Sequence, residues 1–207
     1  MPITTLICDF DGVMSGYDVP RRLDLLASMG GITRDEVYGR VWLSGFEDDA
    51  DAGRYPDPGD YLAKFGERLG VRLTRAQWIE ARRAAMQHWP AMHRLVELAA
   101  QRVQIALLTN NGPLTHDAFE ELAPHTLKLF GPNLFFSFQF GTKKPDPAIF
   151  TAVAQRLGAD PHECLFIDDK PHNARGAREA GMTGVHFAGQ ASLETALAQA
   201  GILEAGG

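Results

Sequence analysis

Five short apolar runs, at 3–8, 103–108, 134–138, 164–167 and 184–187, punctuate this chain, and helical patterns separate the last four. Strands that alternate with helices need crossover connections, and these build a parallel sheet with helices on its faces. The order of elements therefore predicts an α/β fold, a Rossmann-like three-layer α/β/α core. Local signals agree with it. Asp146-Pro147 supplies a capping side chain and a first-turn proline, Ile149, Val153 and Leu157 supply a buried stripe, and Gly158 supplies a stop. Ser192 similarly precedes Leu193, Ala196, Leu197 and Ala200, with Gly201 closing.

The stretch between the first two runs is different. Residues 14 to about 92 show no strand pattern but several helix starts. Thr33 with Glu36 and Thr74 with Gln77 have capping-box spacing, and Pro58 follows Asp57. Leu23, Leu25 and Leu26, then Val37, Val41 and Trp42, then Tyr61, Leu62, Phe65 and Leu69, then Trp78, Ile79 and Met86 give four apolar helix faces. So long a helical stretch is no ordinary crossover loop. It predicts an all-helical cap domain at 14–92 inserted into a core formed by 1–13 and 93–207. The segment from Gly45 to Asp57, rich in glycine and aspartate, reads as a loop of that cap. The Gly206-Gly207 end is expected to fray.

Composition narrows the function. The chain has 207 residues, 45% of them hydrophobic, enough for one full core plus a small accessory domain. The net charge is −6 with no basic stripe, which argues against a nucleic-acid partner. The only two cysteines, Cys8 and Cys164, flank apolar runs and read as buried free thiols of a reducing compartment. No signal-peptide pattern opens the chain, and no run approaches the roughly 18 apolar residues of a membrane span. The expectation is a cytoplasmic protein, monomer or homodimer, without a membrane partner.

Polar groups gather where the strands end. Ligands of open α/β sheets bind beyond the carboxyl ends of the strands. The first run ends in Asp9-Phe10-Asp11-Gly12-Val13, two carboxylates that need a cation or a shared proton to sit close together. The second ends in Thr109-Asn110-Asn111-Gly112, a hydroxyl and consecutive amides suited to an anion or to any strand-to-helix turn. Lys143-Lys144-Pro145-Asp146-Pro147 places a lysine before a helix start, with Lys143 read as solvated. The fourth run ends in Asp168-Asp169, a second acidic pair, whose alternative reading is as acids complementing the dipole of a helix over 172–181. His172 reads as a surface histidine. Tyr17, Trp42 and Phe46 read as helical-domain core, with a substrate floor as the alternative. Arg21, Arg22, Arg82 and Arg83 read as solvated helix faces, with one of them reaching a substrate's far end as the alternative.

These four segments, in this order, resemble the haloacid dehalogenase superfamily, whose largest class is phosphatases. The superfamily's Asp-x-Asp motif is matched by Asp9 and Asp11, its strand-closing Ser or Thr by Thr109, its lysine before Pro-Asp-Pro by Lys144, and its acidic pair by Asp168 and Asp169. The resemblance covers the whole chain, and the Leu-Leu-Thr-Asn-Asn turn suggests the branch of sugar-phosphate phosphatases and epoxide hydrolase phosphatase domains. It implies a Mg²⁺-dependent phosphatase acting on a small phosphorylated substrate. Asp9 would attack phosphorus, and Asp11 would protonate the leaving oxygen and then activate water. Thr109, Asn110 and Lys144 would bind the phosphoryl group. Asp9, the backbone carbonyl of Asp11, Asp168 and Asp169 would hold the metal. Many members carry another acid where this chain has Asn173, which is left no more than a supporting role.

Three other functions use the same scaffold. A 2-haloacid dehalogenase needs neither metal nor the acid at Asp11. A phosphomutase returns its phosphoryl group to substrate rather than to water. A non-catalytic phosphate-binding relative would normally have lost Asp9 or Asp11.

Overall fold

The computed structural model describes residues 1–204; Gly206 and Gly207, expected to fray, lie outside the described residues. Strand β1 (Thr5–Cys8) starts the core, and a short strand β2 (Ser15–Tyr17) follows its turn. Five α-helices come next, α1 (Val19–Gly30), α2 (Arg34–Tyr38), α3 (Phe46–Asp51), α4 (Pro58–Leu69) and α5 (Arg75–Ala85), with a π-helical turn (Gly39–Leu43) continuing α2. Strand β3 (Met86–His88) leads back through α6 (Pro90–Ala99) to β4 (Gln104–Thr109). The chain continues through α7 (Pro113–Asp117), α8 (Phe119–Leu122) and α9 (Pro124–Phe130) to β5 (Leu134–Phe136). It closes with α10 (Pro147–Leu157), β6 (Cys164–Asp168), α11 (Pro171–Glu179), β7 (Thr183–His186) and α12 (Gln190–Gln199).

The five expected strands form one parallel sheet in the order β5-β4-β1-β6-β7. Successive strand residues point to opposite faces, and each face is apolar. Leu6, Cys8, Leu107, Leu165 and Ile167 pack with Met92 and Val96 of α6 and Leu193 and Leu197 of α12. Ile7, Ala106, Leu108 and Phe166 pack on the other face with Ile149, Phe150 and Val153 of α10 and Ala177 of α11. The result is the three-layer α/β/α sandwich. Both cysteines are buried thiols.

The helices of the insert make a separate apolar cluster. Leu26, Val37, Val41, Phe46, Tyr61, Phe65 and Trp78 pack together, joined by Leu114, Ala118 and Leu122 at the core side. The capping boxes at Thr33 and Thr74 form, and Asp57 caps α4.

Three local expectations are corrected. The stretch 14–92 does contain strand: β2 and β3 pair antiparallel, Ser15 against His88 and Tyr17 against Met86. Three residues are too few to show a period, and their pairing depends on the chain returning after the whole insert. The supposed loop after Gly45 holds helix α3, whose Phe46 and Ala50 are buried in the cap cluster, so apolar burial overrides the acidic composition. Finally α12 begins at Gln190 rather than after Ser192. The Ser192 hydroxyl accepts from the Ala188 amide and donates to the Gly189 carbonyl from within the first turn.

His93 on α6 anchors the start of the returning core. It is 6% exposed; its Nδ1 donates to the Trp89 carbonyl (3.1 Å) and its Nε2 accepts from the Thr126 hydroxyl (3.0 Å). Burial first, then the rings of His88 and His125, lower its pKa from the ordinary 6.5, against the opposing pull of the Trp89 hydrogen bond and Glu97. The unfolded chain therefore binds the proton more readily than the folded one. The stability contributed by neutral His93 is complete above 6.5 and is lost as pH falls through the lower folded value. Thermal unfolding followed across the acid range should show this loss, and His93→Gln should flatten it.

Candidate active site

The three central strands β4, β1 and β6 end side by side, so Thr109, Asp9 and Asp168 reach one crevice from distant parts of the sequence. This is the place where doubly wound sheets bind ligands. Lys144 organises it from the opposite side. Its ammonium, 1% exposed, lies 2.7 Å from Asp9 Oδ1 and 2.6 Å from Asp168 Oδ2, and donates to the Leu108 carbonyl at 3.0 Å. Asn110 fixes the lysine's backbone: its Oδ1 accepts from the Lys144 amide (2.9 Å) and its Nδ2 donates to the Lys144 carbonyl (2.8 Å).

The two carboxylates differ. Asp168 accepts additionally from the Lys170 amide (2.8 Å) and from Asn173 Nδ2 (3.0 Å). Burial would raise it, but Lys144 and these donors prevail and lower its pKa. Asp9 is raised, by burial first and then by Asp168 and Asp11, which together outweigh Lys144. Its Oδ1 takes the Lys144 ammonium and the Phe10 amide (2.7 Å), while Oδ2 takes no hydrogen bond from any described residue. For Lys144 itself, burial opposes the charge, but Asp9 and Asp168 outweigh it and raise the pKa.

Asp169 completes an acidic set. Asp9, Asp168 and Asp169 each offer an oxygen, all within 4.8 Å of one another. Opposite ligands of one Mg²⁺ are about 4.2 Å apart, so closing these oxygens by a few tenths of an ångström would bring all three onto a single hard cation. When ionised, the three carboxylates outnumber the buried Lys144 ammonium and the half-exposed Lys170 ammonium 3.5 Å from Asp169, so the set stays net negative and would favour a cation. Gly12 makes room for this. Its φ is +90°, and a Cβ there would lie 2.7 Å from Asp169 Cγ.

Asp11 stands across the crevice. Its Oδ2 meets Arg82 Nη2 at 2.6 Å and accepts from Asn111 Nδ2 at 3.0 Å. Asn111 Nδ2 also donates to Thr109 Oγ1 (2.7 Å), and Asn111 Oδ1 accepts from Arg82 Nη2 (3.3 Å) and the Thr115 hydroxyl (3.2 Å). Asp11 and Thr109 are thus linked through one amide.

The sequence reading missed Arg82 and Asn111. Arg82, read as solvated, is 2% exposed, and Arg22, read likewise, is 4% exposed. Arg82 lies four residues after Trp78 and three after Ile79, on the apolar stripe of α5, and that position was the available signal. Arg22 donates to the Tyr17 hydroxyl (2.8 Å) with its guanidinium over Trp42, Phe65 and Trp78. Phe46 is cap core, whereas the Tyr17 ring lies beneath the Arg82 guanidinium at 4.3 Å. Arg21 and Arg83 are exposed, as is His172, while Lys143 bonds to Asp48 of α3 rather than to solvent alone.

The profile of haloacid dehalogenase-like hydrolases matches residues 3–181. The chain belongs to this family. This haloacid dehalogenase-like hydrolase is 30% identical over 192 residues to Phosphatase MT3486 of Mycobacterium tuberculosis, covering 88% of this chain and 86% of that protein. It is 22% identical over 191 residues to the D-ribitol-5-phosphate phosphatase of Bacteroides thetaiotaomicron, covering 86% of this chain and 89% of the other. Its fold superposes, with a TM-score of 0.79 and 23% identity, on a HAD-family enzyme of Bacteroides thetaiotaomicron solved with magnesium and inorganic phosphate, over 91% of this chain and 96% of that one.

Two variants probe the site's construction. Lys144→Met leaves two buried carboxylates without their cation and should cost roughly 3–5 kcal/mol in denaturant unfolding. Gly12→Ala forces Asp169 aside; if the acidic set holds Mg²⁺, melting curves with and without the ion should show a stabilisation that this variant loses while its circular dichroism spectrum stays unchanged.

Proposed function

We propose that this hydrolase is a Mg²⁺-dependent phosphatase of a small phosphorylated metabolite, a sugar or polyol phosphate, working through an aspartyl-phosphate on Asp9. The observation that carries this reading is the open oxygen of Asp9. Its Oδ1 is pinned by Lys144 and the Phe10 amide, so Oδ2 is free to attack beside Asp169. The phosphatase relatives and the magnesium- and phosphate-bound fold neighbour support it.

Asp9 and Asp169 would hold the metal directly, with Asp168 through an oxygen it shares with Asn173 or through water, and with the Asp11 carbonyl. When bound, Mg²⁺ offsets the repulsion between carboxylate and phosphate ester. Lys144 aims Asp9, and Thr109 with the Asn110 amide would receive phosphoryl oxygens. Asp11 protonates the leaving oxygen and then takes a proton from the attacking water. Residues 14–92 would act as the cap, excluding bulk water and selecting the organic part of the substrate.

A dehalogenase needs neither the Asp11 carboxylate nor the Asp168-Asp169 pair, which makes it the weaker reading. Assays with 4-nitrophenyl phosphate and a sugar-phosphate panel should show Mg²⁺-dependent turnover that EDTA abolishes. Asp9→Asn should lower kcat by at least about 10³-fold. Full activity in that variant, or halide release from a chloroacid in EDTA in place of phosphatase turnover, would sink the proposal.

A further inference from the structure

Arg82 is the one side chain of α5 that leaves the cap cluster and touches the reacting centre. Its Nη2 meets Asp11 Oδ2 at 2.6 Å, with the arginine 2% exposed and the aspartate side chain 21% exposed. Asn111 Nδ2 donates to that same oxygen at 3.0 Å. The other carboxylate oxygen, Oδ1, is buried and has no hydrogen-bond partner among the described residues. Two donors therefore clamp one oxygen of Asp11 and leave the other unengaged. A buried, unpartnered carboxylate oxygen is costly, and such atoms persist where chemistry uses them.

The clamp is itself held in place. The Tyr17 ring lies 4.3 Å below the Arg82 guanidinium and its hydroxyl is occupied by Arg22 Nη1 at 2.8 Å. Tyr17 belongs to β2, which pairs with β3 immediately after α5, so the ribbon that joins insert to core also orients Arg82. Asn111 bridges Arg82, Asp11 and Thr109 on the core side. Seating the insert on the core and aiming Asp11 are one structural event.

We propose that Arg82 is a positioning residue that, with Asn111, restrains Asp11 so that Oδ1 is the atom that exchanges the proton; this rests on the phosphatase reading above. As Asp9 Oδ2 bonds to phosphorus and the ester P–O bond breaks, the proton on Oδ1 passes to the departing oxygen. When water then cleaves the Asp9–phosphorus bond, Oδ1 takes the water's proton and the enzyme is restored. Arg82 contributes by geometry and forms no bond to the substrate.

The proposal makes the effect of Arg82 depend on the leaving group. 4-Nitrophenolate departs well without protonation, and phenolate, of nearly the same size, much less so. In the intact protein with Mg²⁺, Arg82→Ala should reduce kcat on phenyl phosphate by on the order of 10²-fold and on 4-nitrophenyl phosphate by less than about tenfold, with KM little changed. Millimolar guanidinium should restore part of the phenyl phosphate rate. Equal losses on both esters, a loss confined to KM, or no loss would overturn the inference and leave the phosphatase reading standing. If the unaltered protein hydrolyses neither ester nor any of the sugar-phosphate panel, the phosphatase reading falls, and this inference with it. Should Arg82→Ala fail to melt cooperatively, Arg82→Lys, which keeps the charge but loses the planar fork, carries the same comparison.

Discussion

A single ammonium group holds the site together. Lys144 lies between Asp9 and Asp168, two carboxylates that the parallel sheet forces into one buried crevice. Without it, β1 and β6 would end in adjacent, desolvated negative charges, and burial of such a pair is strongly unfavourable. The lysine does not cancel all of the charge. Asp169 adds a third carboxylate, and the remaining negative potential would favour a divalent cation in the crevice. Asp168 takes most of the fixed donors and serves as an anchor, while Asp9 keeps one oxygen open.

The second organising fact is that insert and core meet through polar contacts at the reacting centre as well as through apolar ones at its edge. Leu114, Ala118 and Leu122 join the insert's apolar cluster, and Ser137 donates to the Asp51 carbonyl at 2.7 Å. Lys143 pairs with Asp48 nearby. Arg82 and Asp11 lie at the centre of this interface. A buried ion pair between two bodies adds little net stability, because desolvation offsets most of the attraction, but it specifies one relative placement. That property ties the placement of the insert to the orientation of Asp11.

Much of the architecture was readable because it obeys short-range rules. Five apolar runs gave five parallel strands, and the capping boxes at Thr33 and Thr74 and the Asp-Pro starts at 57 and 146 formed as spaced. Where reading failed, a partner distant in sequence decided the outcome. β2 exists only because β3 returns beside it, 70 residues later. α3 forms because Phe46 and Ala50 find an apolar surface made by α4 and its neighbours. Arg82 and Arg22 look like solvated helix charges until Asp11 and Tyr17 are known to be opposite them.

The amino-acid sequence by itself determined the order of elements and which polar groups stand at strand ends, because period, caps and apolar runs act over a few residues. It placed Asp9, Asp11, Thr109, Asp168 and Asp169 at the carboxyl ends of strands and Lys144 just before a helix start. Only the tertiary structure decided how their atoms divide the work: which Asp9 oxygen is pinned, which Asp11 oxygen is free, and that a guanidinium from the insert stands over the latter residue. Hydrogen bonds and ion pairs of the site depend on ångström-scale distances between residues as far apart along the chain as Asp9 and Lys144, and no local pattern encodes those.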